Sequence, residues 1–206
     1  MTAAACLVLA FWCLLVLDWK RWWPGRMVLH PASLPAGREP ASPGLLVVIP
    51  ARNEAGVLGE CLPSLVAQSG AFSRLVLVDD RSTDDTRAVA SAIAAGAPEP
   101  GKIAVIASEE PPRGGTGKIH ALATGLRAAG GSFEWTLFTD ADIRHPPGSI
   151  AALLEKATSE QRDLVSVMVR LRAETFWEKL LIPPFVWFFQ LLYPFRRVAD
   201  PASRVA

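Results

Sequence analysis

A chain of 206 residues, half of them hydrophobic, has room for one domain of ordinary size and a short appendage. Its formal charge is +1 and its 21 basic residues are spread rather than clustered, which excludes the electrostatic footprint of a nucleic-acid binder. A mean hydropathy of +0.26 is high for a purely soluble domain and points toward membrane contact; three cysteines without C-x-x-C spacing exclude a disulfide framework and fit a reducing, cytosolic setting.

From Ala3 to Leu17 there is no charge, and Asp18, Trp19, Lys20, Arg21, Trp22, Trp23 and Arg26 come directly after. The run falls slightly short of the ~20 residues of an ideal span, but Met1, Thr2 and the tryptophans extend it, so residues 1–23 read as a membrane anchor. The cations come after the apolar part, unlike those of a cleaved signal peptide, and the positive-inside rule puts the C-terminal remainder of the chain in the cytoplasm, at the inner or plasma membrane. The competing reading is a buried core helix. Residues 24–44, with Pro31, Pro35, Pro40 and Pro43, have the composition of a linker.

A regular alternation begins at Leu45. Leu45 to Ile49 is an apolar run of strand length, followed by PARNE and an amphipathic helical stretch from about Ala55 to Gln68. Arg74 to Val78 predicts a second strand, then DDRSTDDT and a helix to about Ala95, with Ser82 and Asp85 spaced as a capping pair. Ile103 to Ala107 predicts a third strand, leading through a Gly/Pro-rich loop to a helix from about Lys118 to Ala129. Trp135 to Phe138 predicts a fourth strand, which stops at TDAD; a helix from about Gly148 to Thr158 and a fifth strand from Leu164 to Leu171 come next. Such alternation implies a mainly parallel sheet with helices on both faces, over residues 45–172. The loops PARNE, DDRSTDD and TDAD each follow a strand directly, so all three belong on the one sheet edge where open α/β sheets bind ligands.

The residue types on that edge suit a nucleotide. Asp140 and Asp142, two apart at a strand end, can both turn toward one hard cation whose remaining ligands are phosphate oxygens; the alternative is helix capping or turn chemistry. Asp79 or Asp80 can accept hydrogen bonds from a base edge or a ribose hydroxyl, as an ionised carboxylate does well, with capping again the alternative. Asp84 and Asp85 read as first-turn dipole partners of the next helix. Arg52 and Glu54 can frame a base or ribose, or simply pair with each other. RGGTGKIH fails as a Walker A motif, since Pro112 and Ile119 stand where a glycine and a Ser or Thr are required, but it leaves a glycine loop opening a helix whose first turn carries Lys118, suited to a diphosphate. His120 and His145 read as packing or surface residues, with slightly more weight on His145 because it lies three past Asp142.

Taken in order, VVIPARNE, LVLVDDRSTDDT, GTGKIHALATG and LFTDAD resemble the nucleotide-binding half of a family 2 glycosyltransferase with a GT-A (nucleotide-diphospho-sugar transferase), Rossmann-like fold. With the N-terminal anchor and the Trp- and Pro-rich ending, the chain is most similar to the hopanoid-biosynthesis-associated glycosyltransferases. The resemblance covers about Leu45 to Leu171. It implies that Pro50, Ala51, Arg52 and Glu54 border the nucleotide, that Asp80 contacts the base, and that Lys118 lies near the nucleotide. It also implies Asp140 near the ribose and Asp142 on a Mg²⁺ or Mn²⁺ that bridges the diphosphate. The chain departs from the family in lacking a downstream E-D pair and a Q-x-x-R-W motif, so the general base is expected beyond Ala206.

Residues 173–206 include the aromatic stretch FWEKLLIPPFVWFFQLLYPFRR, where Pro183 and Pro184 would break a straight span or kink a helix; it reads as an interfacial or re-entrant segment, the start of an acceptor-side half, with a core helix of that half as the alternative. The expectation is a membrane-anchored, metal-dependent and inverting transfer of a sugar from a nucleotide-diphosphate sugar to a lipid-like, hopanoid-related acceptor. The alternatives are a metal-dependent phosphotransfer or nucleotidyl-transfer enzyme and a non-catalytic nucleotide-sugar binding module.

Overall fold

The computed structural model describes residues 2–17, 44–198, 200 and 203. They divide into two compact units, one within residues 29–167 and one drawn from residues 1–28 and 168–206.

The first unit is built on four strands, β1 (Leu45–Ala51), β2 (Arg74–Asp79), β3 (Ile103–Ala107) and β4 (Trp135–Phe138). They form one sheet in the order β3-β2-β1-β4, and every pairing is parallel. The two central strands are the two most continuously apolar runs, LLVVIPA and RLVLVD, because a strand with neighbours on both edges and helices on both faces has no side exposed to water. Register brings the ends of β1, β2 and β3 level, Ala51 pairing with Asp79 and Asp79 with Ala107, whereas β4 stops three residues short, at Phe138 opposite Val48.

Helices cover both faces, as the alternation implies. On one face Leu45, Val47, Ile49 and Ala51 meet α2 (Ala55–Val66), α3 (Thr86–Ala95) and α5 (Ser149–Ser159). Leu58, Leu62 and Leu65 recur on one side of α2 at helical spacing, are all but fully buried, and stabilise the fold by roughly 1.5–3 kcal/mol each. On the other face Leu46, Val48, Val76 and Val78 pack on α4 (Gly117–Ala129) through Ala121 and Ala129. α4 comes close because Gly125 has no side chain: a Cβ there would stand 2.5 Å from Val48 Cγ1. α5 ends where Gln161 takes a left-handed conformation, φ 50°, and Arg162 N–H donates back to the Ala157 carbonyl at 2.8 Å.

The expected fifth strand is absent. Residues 164–171 run without regular structure, with Leu164, Val167, Met168, Val169 and Leu171 exposed. The apolar, β-branched composition is right for a strand, but a strand also needs a partner ladder, and among the described residues β4 pairs only with β1. The amphipathic stretch after β1 also ends earlier than its pattern suggests, at Val66, with a 3-10 turn over Ser69–Ala71.

In the second unit α1 (Thr2–Leu17) covers the apolar N-terminal run and α6 (Phe176–Leu192) covers most of the aromatic C-terminal stretch; a single turn, α7 (Phe195–Val198), comes after it. Trp12 stacks on Trp187 at 5.8 Å between ring centroids. α6 opens with a capping box: Glu178 N–H donates to Thr175 Oγ1 at 3.2 Å, and Thr175 N–H donates to Glu178 Oε2 at 2.8 Å. The helix contains both Pro183 and Pro184, so of the two readings of the prolines it is the helical one, and not a break, that holds. The rest of the expected anchor, residues 18–23, and the Pro-rich linker up to residue 43 lie outside the described residues. Among those described, no helix is long and apolar enough to cross a membrane.

Candidate functional site

The loops beyond β1, β2 and β4 and the first turn of α4 converge on one open cleft of about 300 Å³, off the carboxyl ends of the strands. Pro50, Ala51, Arg52 and Glu54 line it from the first loop, Asp80 from the second, Gly117 and Lys118 from the start of α4, and Asp140, Ala141 and Asp142 from the fourth strand's loop. Eight of the nine residues singled out in the sequence therefore meet in one place. The ninth, Asp79, does not line the cleft: it is buried, and its Oδ1 accepts from Ser82 N–H at 3.2 Å, which shapes the turn. Of the two histidines, His145 lies buried behind the fourth loop.

Asp80 forms the cleft's back wall. It is only 4 % exposed, and its Oδ1 accepts from Arg81 Nε at 3.2 Å while Arg52 stands 3.9 Å from Oδ2. Arg52 thus turns to Asp80, and not to Glu54 as in the alternative of a local pair. The sequence marks Gly117 only as one glycine of a phosphate-suited loop; in the structure a Cβ there would sit 2.4 Å from Asp80 Oδ2, so its lack of a side chain lets the start of α4 close on that carboxylate. At the opposite wall Lys118 Nζ pairs with Asp140 Oδ1 at 2.6 Å, both side chains about half exposed. A pair so open to solvent holds for about 0–1 kcal/mol, so either partner can be exchanged for a ligand at little cost.

The first two loops are stapled to each other. Asn53 N–H donates to Ser82 Oγ at 3.0 Å, Glu54 N–H to Thr86 Oγ1 at 2.8 Å, and Ala55 N–H to Asp84 Oδ2 at 3.2 Å; Thr83 N–H returns a bond to Asn53 Oδ1 at 2.8 Å. Residues of the second loop thus take up the free N–H groups that open α2, which has no cap of its own. This corrects two expectations. Ser82 and Asp85 do not act as a capping pair, since α3 begins at Thr86 after Asp85 with no side-chain cap bond, and Ser82 serves the neighbouring loop. Asp84 is more than a dipole partner: the Thr86 hydroxyl, above all, and backbone N–H groups hold its carboxyl below the ordinary range. Asn53 and Arg81, the residues at the bends, both adopt left-handed backbone, φ 56° and 57°. Asn takes that conformation readily and Arg does not, so the bend at Arg81 is bought with some strain.

The cleft is strongly acidic. Burial first, and then the charges of Asp142, Asp140 and Asp84, push the Glu54 carboxyl above its ordinary value. Ala141, 6 % exposed, is tucked into the core, and the aspartates on either side of it face the cleft. Among the described residues no three His, Cys, Asp or Glu side chains are arranged to hold a metal by themselves. The donor set is instead two hard carboxylates with Glu54 nearby, in a cleft open enough for a ligand. Such a set fits Mg²⁺ or Mn²⁺ that takes its remaining ligands from phosphate oxygens.

An open parallel α/β sheet with a charged cleft off its strand ends defines a ligand-binding domain of the doubly wound class. Within that class the chain belongs to glycosyl transferase family 2, whose pattern matches residues 46–200. It is 34% identical over 136 residues to the undecaprenyl-phosphate 4-deoxy-4-formamido-L-arabinose transferase of Sodalis glossinidius (strain morsitans), covering 65% of this chain and 39% of that one. Among solved structures it is similar to a mannosyltransferase from Pyrobaculum calidifontis in complex with GDP-Man and Mn²⁺ (29% identity, 73% of this chain and 41% of that one, TM-score 0.48). It is also similar to glucosyl-3-phosphoglycerate synthase from Mycobacterium tuberculosis in complex with UDP (25% identity, 82% and 56%, TM-score 0.49). The chain spans about two fifths of the Sodalis relative's length.

Proposed function

We propose that this chain is the donor-binding part of a glycosyltransferase that moves a sugar from a nucleotide-diphosphate sugar to a lipid-like acceptor, with a divalent metal. The observation that carries it is the convergence of Arg52, Glu54, Asp80, Lys118, Asp140 and Asp142 on one cleft from four separate segments. In this reading the recessed Asp80 takes the base, with Arg52 beside it, and Asp140 faces the ribose. Lys118 leaves Asp140 for the diphosphate when the donor arrives. Asp142 and Asp140 would hold Mg²⁺ or Mn²⁺, which would supply positive charge against that developing on the leaving nucleoside diphosphate. Family membership favours this over phosphotransfer or nucleotidyl transfer. A lipid-like acceptor is supported by the Sodalis relative, named for undecaprenyl phosphate, and by the exposed apolar helices α1 and α6. A hopanoid-related acceptor and inversion at the anomeric carbon are carried by the motif resemblance alone.

Titration calorimetry with UDP and GDP, each with and without Mn²⁺, tests the site. The native chain is expected to bind one of them more tightly with the metal, and Asp142→Asn is expected to abolish that gain. Equal binding by the variant would overturn the metal assignment.

A further inference from the structure

The loop that carries Asp140 and Asp142 is tied from behind. Thr139, just before it, and His145, just after it, are both buried, and their side chains meet at 2.9 Å between Thr139 Oγ1 and His145 Nε2. Burial holds the His145 imidazole below its ordinary pKa, so the ring is neutral near neutral pH and shares one hydrogen with the hydroxyl. α2 grips the same segment: His145 N–H donates to Ser64 Oγ at 2.9 Å, and the Ser64 hydroxyl donates to the Cys61 carbonyl at 2.6 Å. Gln68, just beyond α2, donates from Nε2 to the Pro146 carbonyl at 3.1 Å and to the His145 carbonyl at 3.4 Å. Its Oε1 accepts from Ile150 N–H at 3.4 Å, in the first turn of α5.

None of these groups lines the cleft, and none can touch a ligand there. Their common effect is to pin the two ends of a five-residue loop, Asp140 to Arg144, whose middle is anchored by the buried Ala141. A loop closed at both ends and pinned in between has few ways to place its carboxylates. We propose that the Thr139–His145 hydrogen bond, supported by Ser64 and Gln68, is a positioning clamp that holds Asp140 and Asp142 in cation-binding geometry. It rests on the functional reading above for the identity of what the carboxylates bind. The bond takes the place of a direct contact behind metal-ligating side chains, whose loss typically weakens metal affinity about 10–100-fold.

The test uses Thr139→Val, which removes the hydroxyl at nearly constant shape, and Thr139→Ser, which restores it. Two measurements are made on each. Amide hydrogen exchange without ligand reads the clamp alone: residues 140–145 are expected to exchange at least tenfold faster in Thr139→Val and at the native rate in Thr139→Ser. Calorimetry with UDP or GDP reads its consequence: the gain from Mn²⁺ is expected to fall at least tenfold in Thr139→Val, with metal-free binding unchanged, and to return in Thr139→Ser. Native exchange in Thr139→Val, or equal losses with and without metal, would overturn the clamp. Absence of any Mn²⁺ gain in the native chain, with exchange behaving as expected, would overturn the functional reading and leave the clamp standing. A Thr139→Val chain that fails to fold is replaced by Gln68→Ala, which loosens the same segment from the far side and is held to the same outcomes.

Discussion

Glu54 carries the clearest conflict between stability and purpose. Its carboxyl is partly buried with three other carboxylates near it, and burial and those charges raise its folded pKa above the ordinary 4.5. A carboxylate whose pKa is raised by folding is less at ease ionised in the folded chain than in the unfolded one. It therefore subtracts stability at all pH above its folded pKa, and the penalty fades as pH falls through that value and is gone below 4.5. Glu54→Gln is thus expected to melt at a higher temperature than the native chain at about pH 7, with the difference closed by about pH 4, as thermal scans at the two pH values would show. The same substitution removes a charge that attracts a cation, so Mn²⁺-dependent nucleotide binding should weaken as stability rises. Equal melting at about pH 7 would mean the crowding of charge is relieved in solution. Much of this was legible in the residues: PARNE, the paired aspartates and TDAD name nearly all of the cleft. The packing of Gly117 on Asp80 was not, because the 2.4 Å approach of its absent Cβ to Asp80 is a property of two loops 37 positions apart. The roles of Asn53, Asp84 and Thr86 were hidden for the same reason, since each bonds across to the other loop, even though Asp84 and Thr86 also bond to each other.

At the scale of elements, the site depends on how closely α4 lies on the sheet, because α4 delivers both Gly117 and Lys118. Gly125 sets that distance. A Cβ there would stand 2.5 Å from Val48 and 3.0 Å from Val78, two strand side chains that are fully buried and have no room to retreat. Overpacking of this kind costs about 1–3 kcal/mol, against roughly 0.8–1 kcal/mol that alanine contributes over glycine in a helix. Gly125→Ala should therefore be destabilised by up to about 2 kcal/mol in urea unfolding, with nucleotide binding weakened as α4 is pushed outward, and Val48→Ala in the same chain should restore part of both. A neutral or stabilised Gly125→Ala would show that the sheet gives way instead. β1 and β2 were readable because buried parallel strands are nearly unbroken apolar runs, and the partly exposed edge strands β3 and β4 because each still carries a short apolar run between turn residues. Residues 164–171 have the same composition and form no strand, since composition supplies the side chains of a strand but not the neighbour whose backbone completes it. Pro183 and Pro184 left a break and a helix both open; they lie inside α6, whose start is set by the capping box at Thr175.

At the scale of the molecule, two units of opposite character share one chain. The unit within residues 29–167 buries its apolar residues around the sheet and turns its charges to the cleft. The other exposes them: Leu7, Leu9, Phe11 and Leu14 of α1 and Phe176, Trp177, Leu181, Phe185 and Leu192 of α6 are all more than half exposed. So much apolar surface on one small unit, on helices of 16 and 17 residues, marks an interaction site. If this unit meets a membrane, as the proposed lipid-like acceptor would require, two outcomes are expected. The chain should co-sediment with vesicles of mixed phosphatidylcholine and phosphatidylglycerol, and its tryptophan emission should shift to the blue as Trp12 and Trp177 leave water. Leu9→Glu combined with Phe185→Glu should release it from the vesicles while leaving Mn²⁺-dependent nucleotide binding intact, because both substitutions lie in the unit that does not carry the cleft. Binding that survives the double substitution, or that is lost together with nucleotide affinity, would remove these helices as the membrane contact and leave the acceptor's lipid character resting on the Sodalis relative alone.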